Sequence, residues 1–243
     1  MTQAICAIVG AGEGLGRSLA AKFASQDFDI ALVSRSEKGS SAAASAAAAA
    51  KPSANVQYFA ADANQPETVE EAFAKIAADM GDVEVLIYNA RGGYAPRDPL
   101  EMSYAELEEI FRLEVIGAFA AAKSVLPAMI EKGHGSVLFS SATAALRGSG
   151  TNPVYAIGKF GLRALSQSLA KAYSNKGVHI VHFRLDCALD VPMLREYMGE
   201  KFKVEETSNT DDVAETYWWS HQQPKSAWSN EIEIRPYTEV WTY

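Results

Sequence analysis

The sequence predicts an α/β protein with a single domain, residues 1–243, in which a mostly parallel sheet of seven strands is doubly wound with helices on both faces. Short, continuous apolar segments are typical of parallel strands that are buried on both sides, and this chain alternates such segments with longer helical ones. A glycine-rich turn directly follows the first apolar segment. No linker or change in composition divides the chain.

The overall composition excludes several classes of protein. Of the 243 residues, 48% are hydrophobic and 21% are charged, as in ordinary globular domains. The net charge of -8 argues against general binding to nucleic acid or to anionic membranes. We expect no membrane span, because no continuous apolar run reaches the required length, and no signal peptide at the N-terminus.

The cysteines and histidines indicate a cytoplasmic protein without a metal. The chain has two cysteines, Cys6 and Cys187, which are too few for a disulfide framework. Its four histidines are scattered without the spacing of metal ligands. A reducing compartment and the absence of a metal cofactor are therefore expected.

The first element is an apolar strand that leads into a glycine turn and a helix. Residues 4–9 form the strand, and the helix is expected over residues 18–23. Free backbone N–H groups and the helix dipole make such a turn a phosphate-binding site, and glycine lets the backbone approach the ligand. The spacing G-x-x-x-G-x-G differs from the common dinucleotide fingerprint G-x-G-x-x-G. The candidate cofactor-binding residues here are Gly10, Gly14, Leu15 and Gly16.

The ends of the next two strands bear on the choice of cofactor. The second strand ends in Arg35, where an NAD site carries an acidic residue that binds the ribose. Arg35 can pair with a 2′-phosphate, which favours NADP(H) over NAD(H), whereas Glu13 beside the glycines has the opposite effect. Asp62 and Ala63 end the third strand, and we expect them at the adenine edge.

Hydrophobic periodicity predicts the remaining elements. Strands are expected over residues 29–34, 56–61, 83–88, 136–139, 178–183 and 231–235. Helices are expected over residues 40–53 and 68–80, from residue 104 through the apolar stretch 115–125, from residue 155 onward, and over residues 211–219. Residues 186–209 have weak periodicity and many charges, and we expect a mobile insert over a site.

Tyr155 and Lys159 are the candidate catalytic pair. Residues four apart share one face of a helix, so the phenol lies beside the ammonium. Acid/base chemistry near neutral pH needs a phenol whose pKa is well below its ordinary value of about 10, and a neighbouring positive charge lowers that pKa. A second match, Tyr197 with Lys201, lacks the preceding strand and the following apolar stripe, so we assign it no role.

Together these residues resemble the short-chain dehydrogenase/reductase family over almost the whole chain. The resemblance rests on the glycine turn, Asp62, Asn89-Ala90, Ser140-Ser141 and Tyr155-x-x-x-Lys159, in that order. It implies a Rossmann-like fold that binds NADP(H) or NAD(H) and transfers hydride between the cofactor and a small carbonyl or alcohol substrate. It also implies a homodimer or homotetramer, and we expect the aromatic tail, residues 237–243, to pack on a partner subunit.

The resemblance implies a role for each site residue. Tyr155 is the acid/base for the substrate oxygen, Lys159 holds the ribose hydroxyls and lowers the tyrosine pKa, and Ser141 positions the substrate oxygen. Since Ser141 lies one residue further from Tyr155 than is usual, Ser140 and Thr143 remain alternatives. The other cofactor-binding candidates are Asn89 and Ala90.

Several positions depart from the family pattern around the expected nicotinamide and proton relay. Glu114 stands where the family has a helix asparagine, and it can hold a water or pair with a nearby lysine. Arg91 replaces the glycine of an Asn-Ala-Gly turn. Asp186-Cys187 stands in place of Pro-Gly, and Val191 in place of a threonine. The pattern indicates an atypical branch of the family.

Two other functions remain open beside the oxidoreductase. Glu114 and Arg91 favour a non-catalytic NADP-binding sensor or scaffold. An epimerase or dehydratase is compatible with the same Ser-Tyr-Lys set, because fold does not determine function. The substrate is not revealed by the sequence, although Arg91, Arg97 and Arg147 are expected near the site mouth, where they favour an acidic or polar compound.

Overall fold

A seven-stranded, entirely parallel sheet forms the centre of the fold in the computed structural model, which describes residues 3–93 and 95–240. The strands are β1 (Ala4–Val9), β2 (Phe28–Ser34), β3 (Val56–Ala60), β4 (Val83–Tyr88), β5 (Gly135–Ala142), β6 (Val178–Leu185), β7 (Ala188–Asp190), β8 (Thr207–Asn209) and β9 (Glu231–Ile234). The sheet order is β3-β2-β1-β4-β5-β6-β9, and β7 pairs with β8 separately. The predicted fold class and its seven strands are confirmed.

Helices cover both faces of the sheet. They are α1 (Leu15–Ser25), α2 (Glu37–Ala50), α3 (Pro66–Asp79), α4 (Tyr104–Phe111), α5 (Gly117–Lys132), α6 (Pro153–Tyr173), α7 (Pro192–Met198) and α8 (Thr210–His221). One apolar core lies between the sheet and α3, α5 and α6, and the other lies between the sheet and α1, α2 and α8. Because both faces are covered, the strands are continuous apolar runs, as the sequence indicated.

Local hydrogen bonds determine where α6 begins, and therefore where Tyr155 lies. The Asn152 side chain accepts a hydrogen bond from the backbone N–H of Tyr155 at 3.3 Å, and Pro153 occupies the first turn. An asparagine cap followed by proline is a strong start signal for a helix. The cap places Tyr155 in the first turn of α6 and Lys159 one turn further along.

The helical segment Tyr104–Lys132 is long and apolar enough to span a membrane by length and composition alone, although Glu114 and Lys123 interrupt its apolar residues. It joins α4, a π-helical turn (Arg112–Ile116) and α5, and its most apolar window has a mean hydropathy of 1.6. Half of that window is buried inside the fold, where Ala118, Ala121 and Val125 contribute to the core. A helix that packs into a protein core is apolar for the same reason as one in lipid.

Residues 186–209 contain regular structure that the sequence pattern did not predict. The segment includes β7, α7 and β8, with β7 and β8 paired in parallel. The helix α7 has only seven residues, none of them buried, and is therefore shorter than the window over which helical periodicity is detected. The segment lies over the glycine turn, because a Cβ on Gly14 would be 3.2 Å from the Cγ1 atom of Val191.

Candidate active site and cofactor cleft

The glycine turn lies where the strand order reverses, between β1 and β4. Gly10 has φ +83, and a Cβ on it would lie 2.5 Å from the backbone nitrogen of Ala90. The Asn89 side-chain amide donates to the Gly10 carbonyl at 3.0 Å, which joins the ends of the two strands. In open α/β sheets, ligands bind in the crevice at this reversal. Gly10, Asn89 and Ala90 therefore lie together at the edge of that crevice.

The remaining glycines leave room for a ligand beside the start of α1. A Cβ on Gly16 would lie 2.8 Å from the Cα of Ala11, whereas a Cβ on Gly12 would meet no atom within 4 Å. Gly14 is the N-cap of α1 and carries no capping side chain, so within the described residues no side-chain cap satisfies the first N–H groups of α1. Leu15 is buried in the core beneath the turn. These features fit a bound phosphate or pyrophosphate group.

Arg35 and Asp62 lie at the carboxyl ends of neighbouring strands, on the same side of the sheet as the turn. Arg35 is exposed and forms no ion pair with any described residue. One carboxylate oxygen of Asp62 accepts from the backbone N–H of Asn64 at 3.0 Å, which holds the side chain in a local turn. The carbonyl of Ala63 faces Gly117, where a Cβ would lie 2.2 Å from that oxygen.

Lys159 and Glu114 form a buried ion pair beside Tyr155. The Nζ atom of Lys159 lies 2.8 Å from Oε2 of Glu114, and the two side chains are 2% and 0% exposed. The other carboxylate oxygen accepts from the backbone N–H of Gly92 at 3.0 Å. The same Nζ atom lies 5.6 Å from the centre of the Tyr155 ring. Of the two alternatives for Glu114, holding a water or pairing with a lysine, the structure shows the lysine pair.

The π-helical turn brings Glu114 to this position. π-Helical turns are rare and occur frequently at functional sites. Close packing against α6 accompanies the turn: a Cβ on Gly158 would lie 3.1 Å from Cγ of Glu114, and one on Gly161 would lie 2.6 Å from Cγ2 of Val115. Small residues on α6 therefore allow the Glu114 backbone to approach Lys159. The sequence identified Glu114 as a departure but did not predict the π-helical turn.

The three hydroxyl candidates near the end of β5 have different surroundings. The Ser140 hydroxyl contacts the hydroxyl of Tyr217 at 2.8 Å in the core on the α8 side. Thr143 donates to a carboxylate oxygen of Asp186. Neighbouring strand residues point to opposite faces, so Ser141 faces the α6 side, and its buried Oγ atom makes no hydrogen bond with any described residue. Ser141 is thus the candidate whose hydroxyl remains available.

Asp186 belongs to a charge network that the sequence did not reveal. Its carboxylate pairs with Arg235, which also pairs with Glu233 at 2.8 Å, and Glu233 pairs with Arg184. The members of this network among the described residues are two arginines and two carboxylates. The side chains come from β6, β9 and the residues that follow them, so no sequence spacing indicates the pairing.

A cavity of about 440 Å³ opens next to Tyr155. Its lining is mostly polar and comes from the β5–α6 loop, the start of the insert and the C-terminal tail: Ala142, Thr143, Ala144, Arg147, Gly148, Ser149, Asn152, Tyr155, Leu185, Asp186, Cys187, Ala188 and Glu239. Burial raises the pKa of the Cys187 thiol, and the negative charges of Asp186 and Glu239 act in the same direction. A side-chain hydrogen bond with Ser208 has the opposite effect on this pKa. Asn152 and Glu239 were not predicted from the sequence, because neither forms part of a recognisable motif.

The three arginines expected at the site mouth are not equivalent. Arg147 lines the cavity and has a partner of its own. Arg97 pairs with Glu106, and Arg91 is exposed beside the Asn89 turn. Within residues 237–240 of the tail, Glu239 lines the cavity and the Thr238 hydroxyl donates to the carbonyl of Glu205. Residues 241–243 lie outside the described part of the chain, and packing of the tail on a partner subunit stays a prediction.

A larger cavity, of about 580 Å³, lies away from the candidate catalytic residues. It is formed near the amino end of β6 by the last turns of α6 and residues 228–230. The rings of His179 and Trp228 stack there with centres 4.6 Å apart, and burial lowers the pKa of His179. None of the predicted site residues lines this cavity. Among the described residues, no group of three or more acidic, histidine or cysteine side chains is placed to hold a metal.

Comparisons with known proteins show what this chain is similar to. The family model described as short chain dehydrogenase matches residues 4–197. The 3-oxoacyl-acyl-carrier-protein reductase FabG of Escherichia coli is 28% identical over 178 residues, which cover 72% of this chain and 70% of the relative. Levodione reductase of Leifsonia aquatica is 29% identical over 180 residues, which cover 74% of this chain and 67% of the relative.

Solved structures show the same fold over nearly the full length. A short-chain dehydrogenase from Rhodopseudomonas palustris superposes with a TM-score of 0.80 at 30% identity, covering 96% of this chain and 99% of the other. An alcohol dehydrogenase from Thermococcus sibiricus, complexed with 5-hydroxy-NADP, gives a TM-score of 0.85 at 24% identity and covers 99% of each chain.

Proposed function

The chain belongs to the short-chain dehydrogenase family, and on this premise we propose that it is a nicotinamide-dependent oxidoreductase that acts on a small carbonyl or alcohol substrate. The observation that carries the proposal is the position of Tyr155 on the wall of a cavity, with the Nζ atom of Lys159 5.6 Å from the centre of its ring and with the Ser141 hydroxyl unpartnered among the described residues. The cavity is large enough for a small molecule.

Each site residue has one proposed task. Tyr155 gives a proton to the substrate oxygen during reduction and takes it back during oxidation. Ser141 donates a hydrogen bond to the same oxygen, because its hydroxyl has no partner among the described residues. The nicotinamide cofactor, when bound, supplies or accepts the hydride. The ion pair between Lys159 and Glu114 fixes the positions of both charges beside the Tyr155 phenol.

The glycine turn, Arg35 and Asp62 are proposed to bind the cofactor. The open space around Gly12 and the uncapped start of α1 fit its pyrophosphate. Arg35, exposed and without an ion pair among the described residues, supports a preference for a 2′-phosphate and thus for NADP(H) over NAD(H). Solved structures of similar fold carry NADP in their own sites, which agrees with this preference.

Binding and turnover test the proposal together. Titration of tryptophan fluorescence with NADPH and NADH measures cofactor choice, and a panel of carbonyl compounds followed at the reduced-cofactor absorbance measures activity. We expect tighter binding of NADPH, and a loss of about 10²-fold or more in kcat for Tyr155→Phe with unchanged NADPH affinity. Phenylalanine keeps the ring and removes the proton donor, so equal turnover by this variant would contradict the assignment of Tyr155.

A non-catalytic NADP-binding protein is the second candidate. The observation in its favour is the ion pair of Lys159 with Glu114, which offsets the positive charge beside Tyr155. It predicts tight NADPH binding with no turnover of any carbonyl in the panel. Measurable turnover that depends on Tyr155 would exclude it.

We also propose that the chain acts in the cytoplasm as one domain and as a homodimer or homotetramer. Large apolar side chains are exposed on the outer side of the helical layer formed by α4, α5 and α6: Phe111, Phe119, Ile157 and Phe160. Burial of such a patch is the usual reason for its presence on a soluble protein.

A further inference from the structure

We propose that Glu114 is a positioning residue that keeps the Tyr155 phenol protonated, so that Tyr155 serves as the proton donor for carbonyl reduction through neutral and mildly alkaline pH. The inference rests on the function proposed above and concerns the pH range in which the site works. Glu114 acts through Lys159, because one oxygen of its carboxylate lies 2.8 Å from the Nζ atom of that residue.

Lys159 and Glu114 place two opposite charges near one phenol. The Nζ atom of Lys159 lies 5.6 Å from the centre of the Tyr155 ring, and a positive charge at this position by itself favours the phenolate. The carboxylate that pairs with the Nζ atom has the opposite effect on the phenol. Because both side chains are buried, salt screens these effects little. The pair as a whole carries no net charge, and the phenol keeps its proton.

The carboxylate of Glu114 is held beside the ammonium from two sides. Its second oxygen accepts from the backbone N–H of Gly92 at 3.0 Å, so both oxygens have a donor, as a buried carboxylate requires. A Cβ on Gly158 would lie 3.1 Å from Cγ of Glu114, which shows that α6 packs directly against the side chain. This packing and the two hydrogen bonds fix the negative charge next to Lys159.

Other titratable groups face Tyr155 or the ion pair from several elements. Burial, followed by the charge of Glu114, raises the pKa of Tyr88 on β4, and burial lowers the pKa of His182 on β6 to about 4. Both side chains are therefore uncharged at neutral pH. The full set among the described residues is Tyr88, Arg147, His182, Asp186, Cys187 and Glu239. These groups are the same in every variant below, so a difference between variants is assigned to the pair.

Titration of the Tyr155 phenol tests the inference without requiring turnover. Tyrosine labelled with ¹³C at Cζ is incorporated into the full-length protein, and the NMR resonance of Tyr155 is assigned by its absence in Tyr155→Phe. We expect Glu114→Gln to lower the pH of half-ionisation by about one unit or more, because the charge of Lys159 loses its counter-charge. Lys159→Met should raise this pH. Glu109→Gln removes the same charge from the exposed side of α4 and should change it by less than about 0.3 units.

The double variant Glu114→Gln with Lys159→Met gives the answer where a single variant fails to fold. It removes both charges, so its pH of half-ionisation should stay within about 0.3 units of the wild type. If Lys159 alone controlled the phenol, the double variant would titrate at a higher pH than the wild type, and the inference would be overturned. An unchanged pH of half-ionisation in folded Glu114→Gln would overturn it as well.

The pH dependence of ketone reduction with NADPH connects this titration to the reaction. We expect kcat/KM to fall on the alkaline side, with a midpoint that lies about one unit or more lower in Glu114→Gln than in the wild type and in Glu109→Gln. A loss of kcat/KM at every pH with an unmoved midpoint would show a purely structural role and overturn the inference. Absence of turnover with every ketone would overturn the proposed function and the role of Tyr155 as proton donor, whereas the titration would still show whether Glu114 controls the phenol.

Discussion

Glu114 is the buried acidic residue of the candidate site. Its carboxylate is fully buried, pairs with Lys159 at 2.8 Å and accepts from Gly92. Removal of one partner of a buried ion pair leaves the other charge uncompensated, and this costs more than the pair itself contributes. The pair therefore fixes Lys159 in one position, and both residues depend on each other.

Glu114→Gln should lower the free energy of unfolding by about 3 kcal/mol, because glutamine keeps the shape but leaves the ammonium without a counter-charge. Adding Lys159→Met should recover part of the loss. Denaturant titration measures both. Glu109→Gln on the exposed side of α4 is the control and should change stability by less than about 0.5 kcal/mol. Additive losses in the double variant would show that the two side chains do not interact.

At the scale of elements, the docking of α6 on the edge strand β9 depends on a bidentate ion pair. Arg163 on α6 donates to both carboxylate oxygens of Glu231 at 2.6 and 2.9 Å, and Gln167 donates to the same carboxylate at 2.9 Å. The hydrogen bonds from Arg163 lower the pKa of Glu231 to about 2, with the Gln167 bond and nearby positive charges acting in the same direction against a smaller effect of burial. The edge strand is thereby held next to the helix that carries Tyr155 and Lys159.

The Arg163–Glu231 pair makes the stability of the fold depend on pH. A carboxylate whose pKa is lowered by folding stabilises the fold at pH values above its unfolded pKa of about 4.5, and the stabilisation disappears as the pH falls to about 2. We expect Glu231→Gln to lose about 1.5–3 kcal/mol at pH 7 and to show a weaker decline of stability between pH 4.5 and 2. Thermal melts across this range test it, with the exposed Glu131→Gln as control. If the stability of Glu231→Gln declined between pH 4.5 and 2 as steeply as that of the wild type, the Arg163–Glu231 pair would not be the cause of the decline.

At the scale of the whole molecule, the layered arrangement determines where chemistry can occur. Helices on both faces leave the carboxyl ends of the strands as the open edge, and the reversal between β1 and β4 creates the cleft there. The candidate cofactor residues lie at this edge, and Glu239 of the tail contributes to the lining of the cavity beside Tyr155. Aromatic rings are exposed on the outer side of α4, α5 and α6, away from the cleft.

These rings predict self-association. Phe119 is 47% exposed on α5, and Phe119→Glu should shift the molar mass in light scattering from a dimer or tetramer to a smaller species, because burial of a charge at an apolar interface is unfavourable. Val204→Glu, at an apolar position 60% exposed on the insert, is the matched control and should leave the mass unchanged. A wild-type protein that is monomeric at micromolar concentration would contradict the proposed oligomer.

The sequence by itself determined the seven strands of the main sheet, the helices that alternate with them, the glycine turn and the spacing of Tyr155 and Lys159. These follow from short-range patterns: apolar runs, glycines at fixed spacing, and two residues one helical turn apart. The tertiary structure decided which partners meet. The Glu114–Lys159 pair, the Asp186–Arg235 network and the position of Glu239 join residues that are distant in the chain, and their contacts depend on helix packing and on the path of the tail. No local pattern encodes such contacts, because a side chain gains or loses its partner only when the elements that carry it pack together.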